Sequence, residues 1–347
     1  MKAYSFDSDD VYYFNTHRSK ELVLALQNRY SGFDDSIVPS LVERALACKV
    51  HKIVRNSNFG TGHIIYIVDT DRGDVVFRGN RFLEIPEHYM QLEQIITETY
   101  KAVGIPVNSM LFSDTSRALV PFDYQIMELL PGKDLEDDFN GTKEDYDTIS
   151  YRLGQLVALQ YKAPVAGWGR FKNTDELIGV KNSAHEFLMA YVDHDLEEMV
   201  KGGLITDEGY TEIMSFLVGT KPILDKLGQA HLLNHDIADH NIRYEGNRVV
   251  ALFDWENAVA FDPLCEIGSA HTWVCHYPRR EQMTRGFLDA LGFIPEDFEA
   301  RVSLYFLRTM LWKSAFALRG ERFSERHYGL LREALDETVP DVNTKMT

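Results

Sequence analysis

The stretch that most constrains this chain is residues 231–267, HLLNHDIADHNIRYEGNRVVALFDWENAVAFDPLCEI, where acidic and amide side chains are set between short apolar strands. It reads as a loop carrying Asp236 and Asn241, a strand Ile242 to Tyr244, a turn over Glu245 to Asn247, and a strand Arg248 to Phe253 followed at once by Asp254. Two apolar strands closed by a Gly-Asn turn form a β-hairpin, and a rigid hairpin holds the three polar side chains in fixed relation. Hard oxygen ligands on such a frame suit magnesium, which binds through one or two carboxylates plus substrate phosphates. Because His231, His235 and His240 crowd the same stretch, a zinc site is the rival reading, histidine being a common metal ligand. It lacks the helical i, i+4 pairing of H-E-x-x-H, since the chain runs quickly from His235 into strand. A solvated acidic loop whose histidines only hydrogen-bond is the remaining alternative.

Asn234-His235-Asp236, Asn241 and Phe253-Asp254-Trp255 resemble the catalytic loop and metal-binding segment of the aminoglycoside phosphotransferase and choline kinase family, relatives of the protein kinases. The resemblance implies that Asp236 is the base that orients and deprotonates a substrate hydroxyl, and that Asn241 and Asp254 hold magnesium. Asp262-Pro263 matches the family's Asp-Pro pair, which implies that Asp262 braces the catalytic loop. Where family members mostly show His-Gly-Asp, this chain has Asn234 and His235 before Asp236. The spacing from Asp to Asn is kept.

With 347 residues the chain is long enough to bury a large core and to divide into two lobes. Its formal net charge of −17 argues against a nucleic-acid partner, because phosphate binding demands a basic face. An acidic protein attracts cationic small molecules instead. The three cysteines, Cys48, Cys265 and Cys275, include no CxxC pair, which argues against a disulfide framework and against a cysteine zinc site. The start MKAYSFDSDD has no apolar leader core, and no apolar run approaches the roughly 18 residues of a membrane span. A cytoplasmic protein without membrane partner, monomeric or homodimeric, is expected.

Apolar spacing predicts two short lead-in helices, Ser19 to Tyr30 and Ile37 to Cys48. Three strands follow within Val50 to Phe82, separated by Asn58-Phe59-Gly60-Thr61-Gly62 and Asp71-Arg72-Gly73, and they read as an antiparallel meander. Gly60 and Gly62 lack Cβ atoms, so their amides can approach a phosphate closely; an ordinary hairpin turn is the plainer alternative. On the third strand Arg78 stands where kinases carry a phosphate-contacting lysine, and the resemblance extends to hygromycin phosphotransferases, which are similar in having arginine there. A surface strand arginine is its alternative. Glu87 to Val103 is a helix stopped by Gly104-Ile105-Pro106, and the family's matching phrase implies Glu93, with Glu98 as runner-up, as the partner of Arg78.

The apolar strand Tyr124 to Leu130 ends at Pro131-Gly132; in the resemblance it is the hinge, with main-chain groups of Glu128 to Leu130 reading an adenine edge. Tyr146 to Tyr161, Ala184 to Val218, Pro222 to Leu227, Ile267 to Cys275, Arg280 to Leu291, Pro295 to Arg319 and Glu325 to Glu337 are helical by periodicity. Gly167-Trp168-Gly169-Arg170-Phe171 resembles a phrase of hygromycin-phosphotransferase-like members and reads as structural. Asp193, Asp195, Glu197 and Glu198 read as a solvated face, or else as acid lining the mouth of a cleft for substrate ammonium groups. The expectation is an α+β, bilobal protein-kinase-like fold, with a small antiparallel-sheet lobe over residues 1–130 (1–49 a helical lead-in) and a mostly helical catalytic lobe over 131–347. The resemblance implies transfer of a γ-phosphoryl group from ATP or GTP, with Mg2+, to a small-molecule hydroxyl. An aminoglycoside is the first choice of acceptor. A small metabolite such as homoserine, choline or a sugar-like alcohol is the alternative, and a nucleotide-binding pseudokinase is a third reading.

Overall fold

The computed structural model describes residues 11–13, 24, 26, 28–56, 63–80, 88–171, 176–272, 276–320 and 322–339. Helix α1 (Ile37–Leu46) leads into strands β1 (Val50–Arg55), β2 (Ile64–Thr70) and β3 (Val75–Asn80), then helix α2 (His88–Val103) and strands β4 (Met110–Asp114) and β5 (Asp123–Glu128). The five strands pair antiparallel in the order β1-β2-β3-β5-β4. Alternation decides the faces. Ile64, Tyr66 and Val68 of β2 and Val75 and Phe77 of β3 are buried with Val38, Leu41 and Val42 of α1 in one hydrophobic cluster. The residues of β3 between them, Val76 and Arg78, project from the opposite face.

Helix α1 stops at Leu46 rather than Cys48 because Ala47 takes a left-handed conformation, φ 50°. The expected helix over residues 19–30 lies mostly outside the described residues, and so do Gly60 and Gly62. Strand β4 carries no period-2 signal and was not expected from the sequence.

The second lobe opens with β6 (Lys133–Asp134) and α3 (Lys143–Leu159), followed by β7 (Pro164–Val165), β8 (Trp168–Phe171) and β9 (Gly179–Lys181). Helices α4 (Ala184–Leu188), α5 (Val192–Lys201), α6 (Asp207–Gly219) and α7 (Lys221–Leu224) then lead to β10 (Ala230–Leu233), β11 (Ile242–Glu245), β12 (Arg248–Leu252) and β13 (Val259–Phe261). Helices α8 (Leu264–Ser269), α9 (Arg280–Leu291), α10 (Phe298–Arg319) and α11 (Glu325–Thr338) complete it. A Thr142–Asp145 capping box starts α3, satisfying two otherwise orphaned amides. Helices α3 and α9 approach so closely that a Cβ on Gly154 would lie 1.9 Å from the Met283 carbonyl oxygen. The helical stretch expected over residues 184–218 divides into three helices, with Tyr191 left-handed at the start of α5.

Strands order as β7-β10-β13-β8-β9 and as β12-β11-β6. These strands were not all legible beforehand, because two to four residues are too few to show periodicity. The architecture is the expected bilobal α+β fold, with an antiparallel sheet in the first lobe and helices dominating the second. Tyr100 at the end of α2 joins the two, its hydroxyl donating to the Leu232 carbonyl at 3.0 Å. The Leu252 amide donates to the Pro106 carbonyl at 2.9 Å, so the hairpin is tied to the segment following α2.

Candidate active site

The cation of the site is built by register. Arg78 on β3 lies opposite Gln125 of β5, and Gln125 Nε2 donates to the Met90 carbonyl at 2.7 Å, pinning the first turn of α2 to the sheet. That contact sets Glu93 beneath Arg78, whose Nη1 lies 2.8 and 2.7 Å from the two carboxylate oxygens. Glu98 instead pairs with Gln94 on the helix surface. Nη2 of Arg78 reaches within 3.9 Å of Asp254 Oδ1. Burial opposes the Arg78 charge, but the carboxylates of Glu93 and Asp254 outweigh it and raise its pKa. The surface-arginine alternative falls, since Arg78 is only 8% exposed.

The segment that the sequence reads as a catalytic loop follows β10. His235 has φ 63° and Asp254 has φ 64°, left-handed conformations that a non-glycine residue holds only when its surroundings hold it there. For His235 the surroundings are aromatic: its ring stacks on Tyr13 at 4.2 Å, and Tyr13 stacks on Trp312 at 4.0 Å. Burial drives the His235 imidazole well below its usual pKa, with Arg170 and Arg308 adding to the effect, so it is neutral. Asn234 Oδ1 accepts the Asp236 amide at 2.7 Å, and Asn241 Nδ2 donates to the Asp236 carbonyl at 2.9 Å.

The expected hairpin forms, with β11 and β12 pairing through a two-residue Gly246-Asn247 turn and Glu245, read as part of the turn, lying in β11 opposite Arg248. The Phe253 amide donates to the Asn241 carbonyl at 3.2 Å, which sets Asp254 next to Asn241. The side chain of Asn257 donates to Asp236 Oδ2 at 3.2 Å. Burial raises the carboxyls of both Asp236 and Asp254; His240 counters it at Asp236, and Arg78 does so at Asp254. Buried Asp236 Oδ1 and Asp254 Oδ1 make no hydrogen bond among the described residues. The Asp254 oxygen, with Asn241 next to it, is a donor set that fits a hard divalent cation shared with phosphates.

Two sequence expectations are corrected. Asp262 does not brace the loop: its carboxylate takes Arg301 Nε at 2.9 Å and the Tyr305 hydroxyl at 2.7 Å, tying β13 to α10. The brace is Glu266, one helical turn further on, whose Oε1 accepts the His235 amide at 2.8 Å. Asp195 is not solvated; it is fully buried against Arg308 at 3.1 Å. The zinc alternative also fails, because His231 turns to Tyr161, His235 is enclosed by aromatic rings and His240 pairs with Glu136 at 2.9 Å. Among the described residues no three His, Cys, Asp or Glu side chains are grouped to hold a metal. At the end of β5 the Glu128 amide is already taken by the Ser109 carbonyl at 2.9 Å, while Leu130 lies beyond the strand, half-buried.

Sequence reasoning also missed a second support of the loop. Asp239 is fully buried, 2.7 Å from Arg279 Nη1 and 2.8 Å from the Tyr146 hydroxyl, and Arg279 donates as well to the Ile237 carbonyl. An aspartate two residues before Asn241 was the available signal, but its partners are 93 and 40 residues away. Tyr12 and Tyr13 gave no signal, lying more than 200 residues from the loop they underpin.

The model of the phosphotransferase enzyme family, APH, matches residues 60–302. No curated protein sequence matches the chain. Among solved structures the chain is similar to a thermostable mutant of aminoglycoside phosphotransferase APH(4)-Ia in ternary complex with AMP-PNP and hygromycin B, at 17% identity and a TM-score of 0.65, covering 87% of this chain and 99% of that one. It is similar to a Thermobifida fusca protein assigned as a fructosamine-3-kinase, at 13% identity and a TM-score of 0.63, covering 86% and 98%. A third is the macrolide 2'-phosphotransferase MphH of Brachybacterium faecium, at 14% identity and a TM-score of 0.59, covering 88% and 98%. At such identities a structural likeness carries the fold and not the acceptor. The family match, which runs from before β3 to within α10 and takes in Arg78, Glu93, Asp236, Asn241 and Asp254, shows that this chain belongs to the phosphotransferase enzyme family.

Proposed function

We propose that this phosphotransferase is a small-molecule kinase that moves the γ-phosphoryl group of ATP or GTP to a substrate hydroxyl. The observation that carries the reading is the meeting of Asp236, Asn241 and Asp254 at one hairpin with the Arg78–Glu93 pair, Arg78 reaching within 3.9 Å of Asp254. Arg78, held by Glu93, grips the α- and β-phosphates. Gly60 and Gly62 cover the nucleotide, and main-chain groups from Glu128 to Leu130 other than the engaged Glu128 amide read the base. Asn241 and Asp254 would hold Mg2+, which when bound would offset the charge of the phosphates. The acceptor oxygen bonds to the γ-phosphorus as the bridging P–O bond breaks. The hydroxyl proton passes to Asp236, and the nucleoside diphosphate leaves with the electron pair. Little covalent chemistry is left to the protein, so rate comes from alignment and charge. Residues 1–130 form the nucleotide lobe and 131–347 the acceptor lobe.

An aminoglycoside is the acceptor we favour. Carboxylates crowd the site, Glu136, Asp236, Asp254 and Glu256 all acting on its charged groups, and the chain carries −17 overall, which draws a cationic acceptor. The relative with hygromycin B bound supports the same choice. A sugar-like metabolite is the second reading, favoured by the fructosamine-3-kinase likeness. The test is acceptor-dependent ADP release with Mg-ATP over a panel of aminoglycosides, macrolides, glycated amines, choline and homoserine. One productive compound names the acceptor class, and none at all favours a nucleotide-binding pseudokinase. Asp236→Asn is expected to abolish that turnover while nucleotide affinity stays within a few fold; normal turnover would remove Asp236 from its role.

A further inference from the structure

Asn257 stands three residues past Asp254, outside every motif read from the sequence. Its position is strongly determined. Asp254 leaves β12 in a left-handed conformation. Trp255, 3% exposed, anchors the next step against Tyr100 with ring centroids 5.0 Å apart. The Ala258 amide then donates to the Trp255 carbonyl at 2.9 Å, closing a turn before β13. The turn delivers Asn257, itself only 3% exposed, with its side-chain amide 3.2 Å from Asp236 Oδ2. The other oxygen, Oδ1, is buried and takes no hydrogen bond among the described residues.

We infer that Asn257 is a positioning residue for Asp236: its amide occupies Oδ2 and so fixes the rotation of the carboxylate that meets the acceptor hydroxyl. A carboxylate bound only through its own backbone rotates about its terminal torsion, a broad two-fold well. A donor on one oxygen removes that freedom, and a supporting hydrogen bond of this kind keeps a reacting group within the narrow geometry that turnover requires. The inference deepens the kinase reading and rests on Asp236 being its base.

The test orders two variants. Asn257→Asp keeps shape and packing but replaces the donor with a second carboxylate, whereas Asn257→Ala removes both donor and volume. A positioning role predicts that both lower kcat tenfold or more with acceptor KM and nucleotide affinity within twofold, and that Asn257→Asp is at least as impaired as Asn257→Ala. A packing role predicts the reverse order, with Asn257→Asp near wild type, and that result overturns the inference. A spectroscopic readout needs no acceptor: the side-chain amide protons of Asn257, assigned by their loss in Asn257→Asp, shift upfield in Asp236→Ala. If no panel compound is phosphorylated and the amide still responds, the contact stands and the kinase reading falls. If the amide is indifferent to Asp236→Ala, the inference falls whatever the turnover.

Discussion

Glu266→Gln separates the electrostatic cost of bracing the catalytic loop from its geometry. Glu266 is 1% exposed and accepts the His235 amide at 2.8 Å and Gln160 Nε2 at 3.4 Å. Burial raises its carboxyl from 4.5 to about 7, those hydrogen bonds offsetting part of the effect. The folded protein therefore holds this proton more tightly than the unfolded chain does. The associated stability is complete below about pH 4.5 and is lost as pH rises through about 7. At about 1.4 kcal/mol per pH unit, the loss is about 3 kcal/mol. Glutamine keeps the shape and an acceptor oxygen for the His235 amide but never ionises. In urea unfolding followed by tryptophan fluorescence, Glu266→Gln is expected to gain about 3 kcal/mol on wild type between pH 4.5 and pH 8. Other titrating groups cancel in that comparison. A stability gap that stays constant over the range refutes the argument, because it means that Glu266 does not titrate inside the window.

Asp195→Asn leaves Arg308 buried without its countercharge, although the guanidinium keeps the Leu188 and Ala190 carbonyls at 2.8 and 2.6 Å. Thermal denaturation should show a loss of about 3–5 kcal/mol, and a loss under 1 kcal/mol would mean that the carbonyls alone satisfy the arginine. Gly154→Ala sets a Cβ 1.9 Å from the Met283 carbonyl oxygen, so α3 and α9 must part. The expected cost is at least about 1–3 kcal/mol in denaturant midpoint experiments, and an unchanged midpoint would show that the two helices do not meet there.

Signals confined to a few neighbouring residues were legible without coordinates. The spacing of Asp236, Asn241 and Asp254 survived in the sequence because the hairpin between them is local. The Gly246-Asn247 turn sets its register, and the apolar alternation of its strands sets its face. The pairing of Arg78 with Glu93 was implied by the family resemblance, counted back along α2 from the helix-stop phrase after Val103, with Glu98 left open until the structure paired Glu98 with Gln94 instead. Strands β6 to β10 and β13 escaped, their two to four residues having no period to detect.

What holds the loop is another matter. Asp262 and Glu266 are both acids in one short run, and nothing in their order says which of them meets the His235 amide and which meets Arg301. That choice is made by the packing of α8 against α10, which turns Asp262 toward Tyr305 and Glu266 toward the loop. Likewise Asp195 looks like its exposed acidic neighbours until α10 brings Arg308 against it across 113 residues. Sequence alone singled out Asp236, Asn241 and Asp254 as a group, because their spacing is local; the fold decided which buried charges support them, because a buried charge is tolerated only beside a partner that tertiary packing must deliver.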